Sequence, residues 1–223
     1  MDRKPVMTAA STSLGSGVEV NKVLRNTYML LGMSLLFSAV TAGIAMALQI
    51  SQMTALILSL VGFGLLFVVN KTADSAKGIV AVFAFTGVLG AALGPMLNHY
   101  LGMANGPSLI MQALGGTAVV FFALSGYVLT TRKNFSFMGG FLMVGVIVAV
   151  VASIALIFFN VPAAHMALSA LIVLLMSGFI LFDTSRIIHG GETNYIRATV
   201  SLYLDIYNLF TALLHLLGAI GDD

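Results

Sequence analysis

DTSRIIHGGETNYIRATVSLYLDIYNLF, Asp183 to Phe210, holds both aspartates that fall inside otherwise apolar runs: Asp183 ends one run and Asp205 lies well inside the next. Between them sits a short polar connector with Arg186, His189, Glu192 and Arg197. A carboxylate on a membrane helix costs roughly 2.5 kcal/mol or more, so it normally faces a partner or water. Two of them near one face of a bilayer form the first functional candidate.

The flanking sequence makes the membrane assignment. Hydrophobic residues are 59% of the chain and charged residues 8%, with a mean hydropathy of +1.05. A water-soluble domain of this length could not cover such a surface with polar groups. Asn26–Asn70, Gly78–Thr131 and Asn134–Phe182 contain no Asp, Glu, Lys or Arg and are 45, 54 and 49 residues long. One span needs about 20 residues, so each block predicts two spans and an uncharged turn. The turns fall at Gln49–Gln52, at Asn98–Pro107 and at Asn160–Pro162, where polar, Gly and Pro residues interrupt the pattern. Ala198–Gly221 is one further span. The expectation is an all-α, seven-transmembrane-helix bundle over residues 26–223, preceded by a polar, flexible tail over 1–25. The first apolar run, Tyr28–Leu48, is longer than a signal-peptide core of about 7 to 15 residues and reads as a retained span.

Orientation follows from the ten basic residues. Four lie in the tail (Arg3, Lys4, Lys22, Arg25), and two each lie in or beside the connectors Lys71–Lys77, Arg132–Ser136 and Thr184–Arg197. The three turns carry none. The positive-inside rule then predicts a cytoplasmic N-terminus and an external C-terminus. These cations are scattered in connectors, so they are topology signals, and nucleic acid is not an expected partner. With no tryptophan in the chain, Tyr28, Tyr100 and Tyr195 are the expected interfacial anchors. The absence of cysteine removes disulfides, thiolate metal sites and cysteine nucleophiles.

Two sequence patterns speak to packing. Gly90 and Gly94 have GxxxG spacing, which serves tight packing within the bundle or dimerisation. Pro95 should bend or end the third helix. On the last span, Ser201, Asp205, Asn208, Ala212 and His215 fall within an arc of about 80° at 100° per residue. Lipid cannot satisfy such a face, so it should point inward, as a functional cavity around the acid or as interhelical hydrogen bonding. Asp183 is either an interfacial acid paired with Arg186 or a partner of Asp205, which lies about seven residues, roughly 10 Å, inside its span. Two carboxylates meeting in a poorly solvated site cannot both ionise easily and would form a proton-sensitive pair.

Enzymatic readings are weak. His99, His165, His189 and His215 have no paired or HExxH spacing, and no metal or other cofactor is expected. An intramembrane aspartyl protease would need further motifs that are absent.

FDTSRIIHGGE, GGETNYIRATVSLYLDIYNLF, AFTGVLGAALGP (Ala84–Pro95) and LGGTAVVFFALSGYVLTTRKNFSFMGG (Leu114–Gly140) resemble the Bax inhibitor family of seven-span membrane proteins, from about Lys22 to the last span. The resemblance implies one of two roles. A bacterial inner-membrane branch binds and modulates a membrane-anchored AAA protease of the FtsH type, engaging it through the cytoplasmic tail. A second branch is a pH-sensitive calcium leak, with paired aspartates on its sixth and seventh spans as the sensor. Asp183 and Asp205 match those positions, and calcium would be the transported ion. That branch also has a basic partner from the second span, for which Lys71, not an arginine, is the nearest candidate.

Reporter fusions after Lys77, Lys133 and Asp223 should give cytoplasmic signals at the two lysines and an external one at Asp223. A cytoplasmic signal at Asp223, or an external one at either lysine, overturns the span count or the orientation.

Overall fold

A computed structural model describes residues 8–159 and 161–221, with side chains from Glu19 onward. The helices are α1 (Thr8–Ala47), α2 (Gln52–Thr72), α3 (Lys77–Ala92), α4 (Gly94–Leu101), α5 (Gly106–Thr131), α6 (Gly139–Phe158), α7 (Pro162–Ile188) and α8 (Tyr195–Gly221), with a 3-10 turn at Ser136–Met138 before α6. Among the described residues there is no strand. Seven segments are long and apolar enough to cross a membrane: Glu19–Ala47, Gln52–Thr72, Lys77–Leu101, Gly106–Thr131, Ser136–Phe158, Pro162–Ile188 and Tyr195–Gly221. Their number and order agree with the spans read from the charge-free blocks.

Helix boundaries follow local chemistry. Ser51 caps α2 by accepting from the Thr54 amide at 3.1 Å. Pro95 lies in the first turn of α4, and the chain breaks at Leu93, so the third span is two helices in series. Proline also opens α5 and α7, where its missing N–H costs nothing. Asn194 caps α8, accepting from the amides of Ile196 at 2.9 Å and Arg197 at 3.2 Å. The segment expected as a tail lies outside the described residues for Met1–Met7; from Thr8 the backbone is helical and runs without a break into the first span.

α8 sits at the centre. It packs against α7, α5, α1, α3 and α2, and Leu202, Leu209 and Leu214 are fully buried. α6 is at the other extreme, packing on α7 with most of its surface turned outward. Exposed Leu, Ile, Val and Phe side chains cover the outer faces of α1, α2 and α6, as a hydrocarbon environment requires.

The glycine pattern of α3 is intramolecular. A Cβ on Gly87 would stand 2.6 Å from the Phe37 ring, one on Gly94 2.8 Å from the Ala45 Cβ, and one on Gly90 would overlap the Ser38 carbonyl and the Thr41 hydroxyl. All of these neighbours belong to α1, so these glycines let α1 and α3 approach closely. The buried Tyr203 hydroxyl of α8 then joins both helices. It donates to the Thr86 carbonyl of α3 at 3.2 Å and accepts from the Ser38 hydroxyl of α1 at 2.7 Å.

Gly90→Ala should therefore destabilise the folded protein by roughly 1–3 kcal/mol, since the contacts are with backbone and a short side chain that cannot move aside. Gly64→Ala, where a Cβ meets nothing within 4 Å, should be neutral or stabilising by up to about 1 kcal/mol. Thermal unfolding of the two variants in detergent checks the pair; equal melting temperatures would reject the close-approach account.

Candidate functional site

The acidic pair stands on the two helices that pack most extensively on each other, α7 and α8. Both helices continue beyond the apolar runs that mark them in the sequence. α7 reaches Ile188 instead of stopping at Asp183, and α8 starts at Tyr195 under the Asn194 cap. Asp183 is thus five residues from the end of α7, and Asp205 ten from the start of α8, which is roughly 15 Å instead of the 10 Å expected from the run starting at Ala198. The lengthened α7 narrows the difference in depth between the two acids without removing it.

Asp183 is 8% exposed, and its Oδ1 lies 3.5 Å from Arg186 Nη1, one turn further along α7. Arg186 also reaches Glu192 at 3.7 Å and donates to the Gly191 carbonyl. Gly190, at φ 73°, lets the chain leave α7 in the left-handed conformation that brings Glu192 back over Arg186. Asp205 is 5% exposed, its Oδ2 has no hydrogen-bond partner, and the charged side chain that acts on it electrostatically is Asp183. A buried carboxylate oxygen without a partner is costly, and such groups mark functional positions within membrane bundles.

The rest of the expected face of α8 is divided. Ala212 is buried, and Ser201 and Asn208 are half-buried. The Asn208 amide donates to the Leu204 carbonyl of its own helix at 2.9 Å, so it does not serve Asp205. His215 lies about 15 Å further along α8. Its Nδ1 meets the Tyr100 hydroxyl at 3.0 Å, beside a second cavity that His165 also lines. The structure therefore brings Asp183, Arg186 and Asp205 into one neighbourhood and leaves His215 outside it. Lys71 is exposed at the end of α2 and makes no ion pair among the described residues; the cation at Asp183 is Arg186. Among the described residues no three His, Cys, Asp or Glu side chains are grouped to hold a metal ion.

Several participants escape a reading of spacing alone. A chain of hydroxyls, Tyr28–Ser125–Thr184, joins α1, α5 and α7 next to Asp183; the Ser125–Thr184 link is 3.0 Å. Asn194 donates to the Ala73 carbonyl at 3.0 Å and to Asp74 at 2.8 Å, and Arg197 pairs with Asp74 at 3.0 Å, which ties the α7–α8 connector to the α2–α3 connector. His189 faces the Arg132 carbonyl at 3.1 Å, tying it to the α5–α6 connector as well. Asn194 before an apolar helix is a readable cap signal; the hydroxyl chain has no such signature.

Against known proteins, the chain matches the family described as "Inhibitor of apoptosis-promoting Bax1" over residues 20–222. It is 53% identical over 224 residues to the "Modulator of FtsH protease YccA" of Escherichia coli K12, with the whole of both chains covered. An "Uncharacterized membrane protein" of Vibrio cholerae is 51% identical over 220 residues, covering 98% of each, and an uncharacterized protein of Pseudomonas aeruginosa is 47% identical over 205 residues, covering 92% of each. A family match across nearly the whole length, over seven spans in the expected order, makes this chain a multi-pass membrane protein belonging to the Bax inhibitor family.

Proposed function

We propose that this protein is a modulator of a membrane-anchored AAA protease of the FtsH type in the bacterial inner membrane. The observation that carries the reading is the end-to-end 53% identity with a relative named for that role, which extends through the N-terminal segment as well as the spans. A second relative is named an inner membrane protein. The basic residues support a cytoplasmic N-terminus, and the ties among Asp74, Asn194, Arg197, Arg132 and His189 gather the basic connectors at the same end of the bundle. The segment before Glu19 is then what a cytoplasmic protease meets first, and the spans from Glu19 onward form its membrane mount.

A second reading, a pH-sensitive cation leak with calcium as its ion, is favoured by the unpartnered Asp205 oxygen and by the charge of Asp183 acting on Asp205. Two carboxylates suit an ion in transit better than one held in residence.

Deleting Met1–Val18 touches no span, since the first starts at Glu19. The truncated protein should fold and insert, yet lose co-purification with the protease and change its own turnover. Both unchanged would reject the segment as the point of engagement.

For the leak, calcium flux into liposomes holding the purified protein should vary across pH 5 to 8, and Asp183→Asn and Asp205→Asn should each abolish that variation, with a non-additive double variant. Flux equal to that of empty liposomes at every pH leaves the protease modulator alone.

A further inference from the structure

On the opposite side of α8 from Asp205 lies a cavity of about 470 Å³ between α1 and α5, floored by Tyr203, Ile206 and Phe210. Its volume falls in the ~300–1,000 Å³ range of small-molecule sites. The side wall is incomplete. α1 presents Gly32, Ala39 and Gly43 to it, all exposed, and a Cβ on either glycine would meet nothing within 4 Å. The two helices meet at one end, where the Tyr28 ring lies 6.0 Å from that of Phe121 and its hydroxyl reaches Ser125. Beyond that closure the trough opens sideways at the depth of the hydrocarbon core.

The lining selects the chemistry of an occupant. Every polar side chain in it is already satisfied within the protein: Tyr28 by Ser125, Ser38 by Tyr203, Thr117 by the Ala113 carbonyl and Tyr207 by the Leu89 carbonyl. Such walls, mostly apolar and with their hydroxyls already bonded within the protein, favour a hydrocarbon chain over a sugar or nucleotide. At the closed end the charge changes. Arg25 stands one turn before Tyr28 on the same face of α1, and Arg132 caps the end of α5 in a left-handed conformation, seven residues after Ser125. Both arginines are exposed. Exposed basic side chains at the end of the spans are a setting in which anionic lipid headgroups bind.

We propose that the α1–α5 seam is a binding site for one anionic phospholipid, with an acyl chain in the trough and the phosphate between Arg25 and Arg132. Neither Asp183 nor Asp205 lines the trough.

Native mass spectrometry of the full chain in mild detergent, with phosphatidylglycerol and phosphatidylcholine added at equal concentration, tests it. The protein should retain one phosphatidylglycerol in preference to phosphatidylcholine. Filling the trough with Gly32→Phe and Ala39→Phe should remove the retained lipid. Val40→Phe, on the neighbouring exposed surface (59% exposed), should leave it in place and so reports on folding. Arg25→Gln with Arg132→Gln should reduce the preference for phosphatidylglycerol by about tenfold or more. Retention unchanged by the two phenylalanines would overturn the proposal, as would equal retention of the two lipids by the unaltered protein.

Discussion

The bilayer core offers no water, and the bundle depends on how one side chain answers that constraint. Tyr203 carries its hydroxyl into the fully buried centre, where each helix keeps its backbone groups for itself. By donating to Thr86 on α3 and accepting from Ser38 on α1, it satisfies itself and fixes α8 against two other helices. The ring completes the arrangement by packing edge-on to Phe85 at 5.7 Å. Together with Tyr207, which donates to the Leu89 carbonyl of α3, that junction sets the height of α1 and α3 along α8.

At the basic end a different chemistry holds. There the connectors are in contact with water, and the links are ionic or use backbone carbonyls: Arg197 with Asp74, Asn194 with Ala73, His189 with Arg132. Individually, exposed pairs of this kind are worth little, about 0–1 kcal/mol. Their effect is geometric. They set where α7 stops and α8 begins, and so how far into the bundle Asp183 and Asp205 stand. The acidic site inherits its depth from a network at the surface.

Much of this architecture was readable from the chain. The span number followed from charge-free blocks each more than twice a span in length, and the break in the third span from Pro95. Asp183 and Asp205 stood out because acids are rare in apolar runs. Tyr100 and Tyr195 stand at span ends as the sequence predicts, but the Tyr100 ring is 5% exposed and its hydroxyl meets His215, a partner that spacing does not announce. Helix ends were placed short because hydropathy ends where polar residues start, whereas α7 and α8 continue as long as caps and hydrogen bonds allow. Tyr203 and the Tyr28–Ser125–Thr184 chain were invisible, since each joins residues far apart in sequence and no local spacing announces them.

The position of α8 has a consequence in time. Synthesis proceeds from the N-terminus, and the helix at the centre of the bundle follows all the other spans in the chain. Until it is inserted, Ser38 and the Thr86 carbonyl lack their bonds to Tyr203, and α1, α3, α5 and α7 surround an unfilled space. The six earlier spans are therefore synthesised before the helix that fills the space between them. A ribosome that stalls before Tyr195 leaves a set of inserted helices without their common partner.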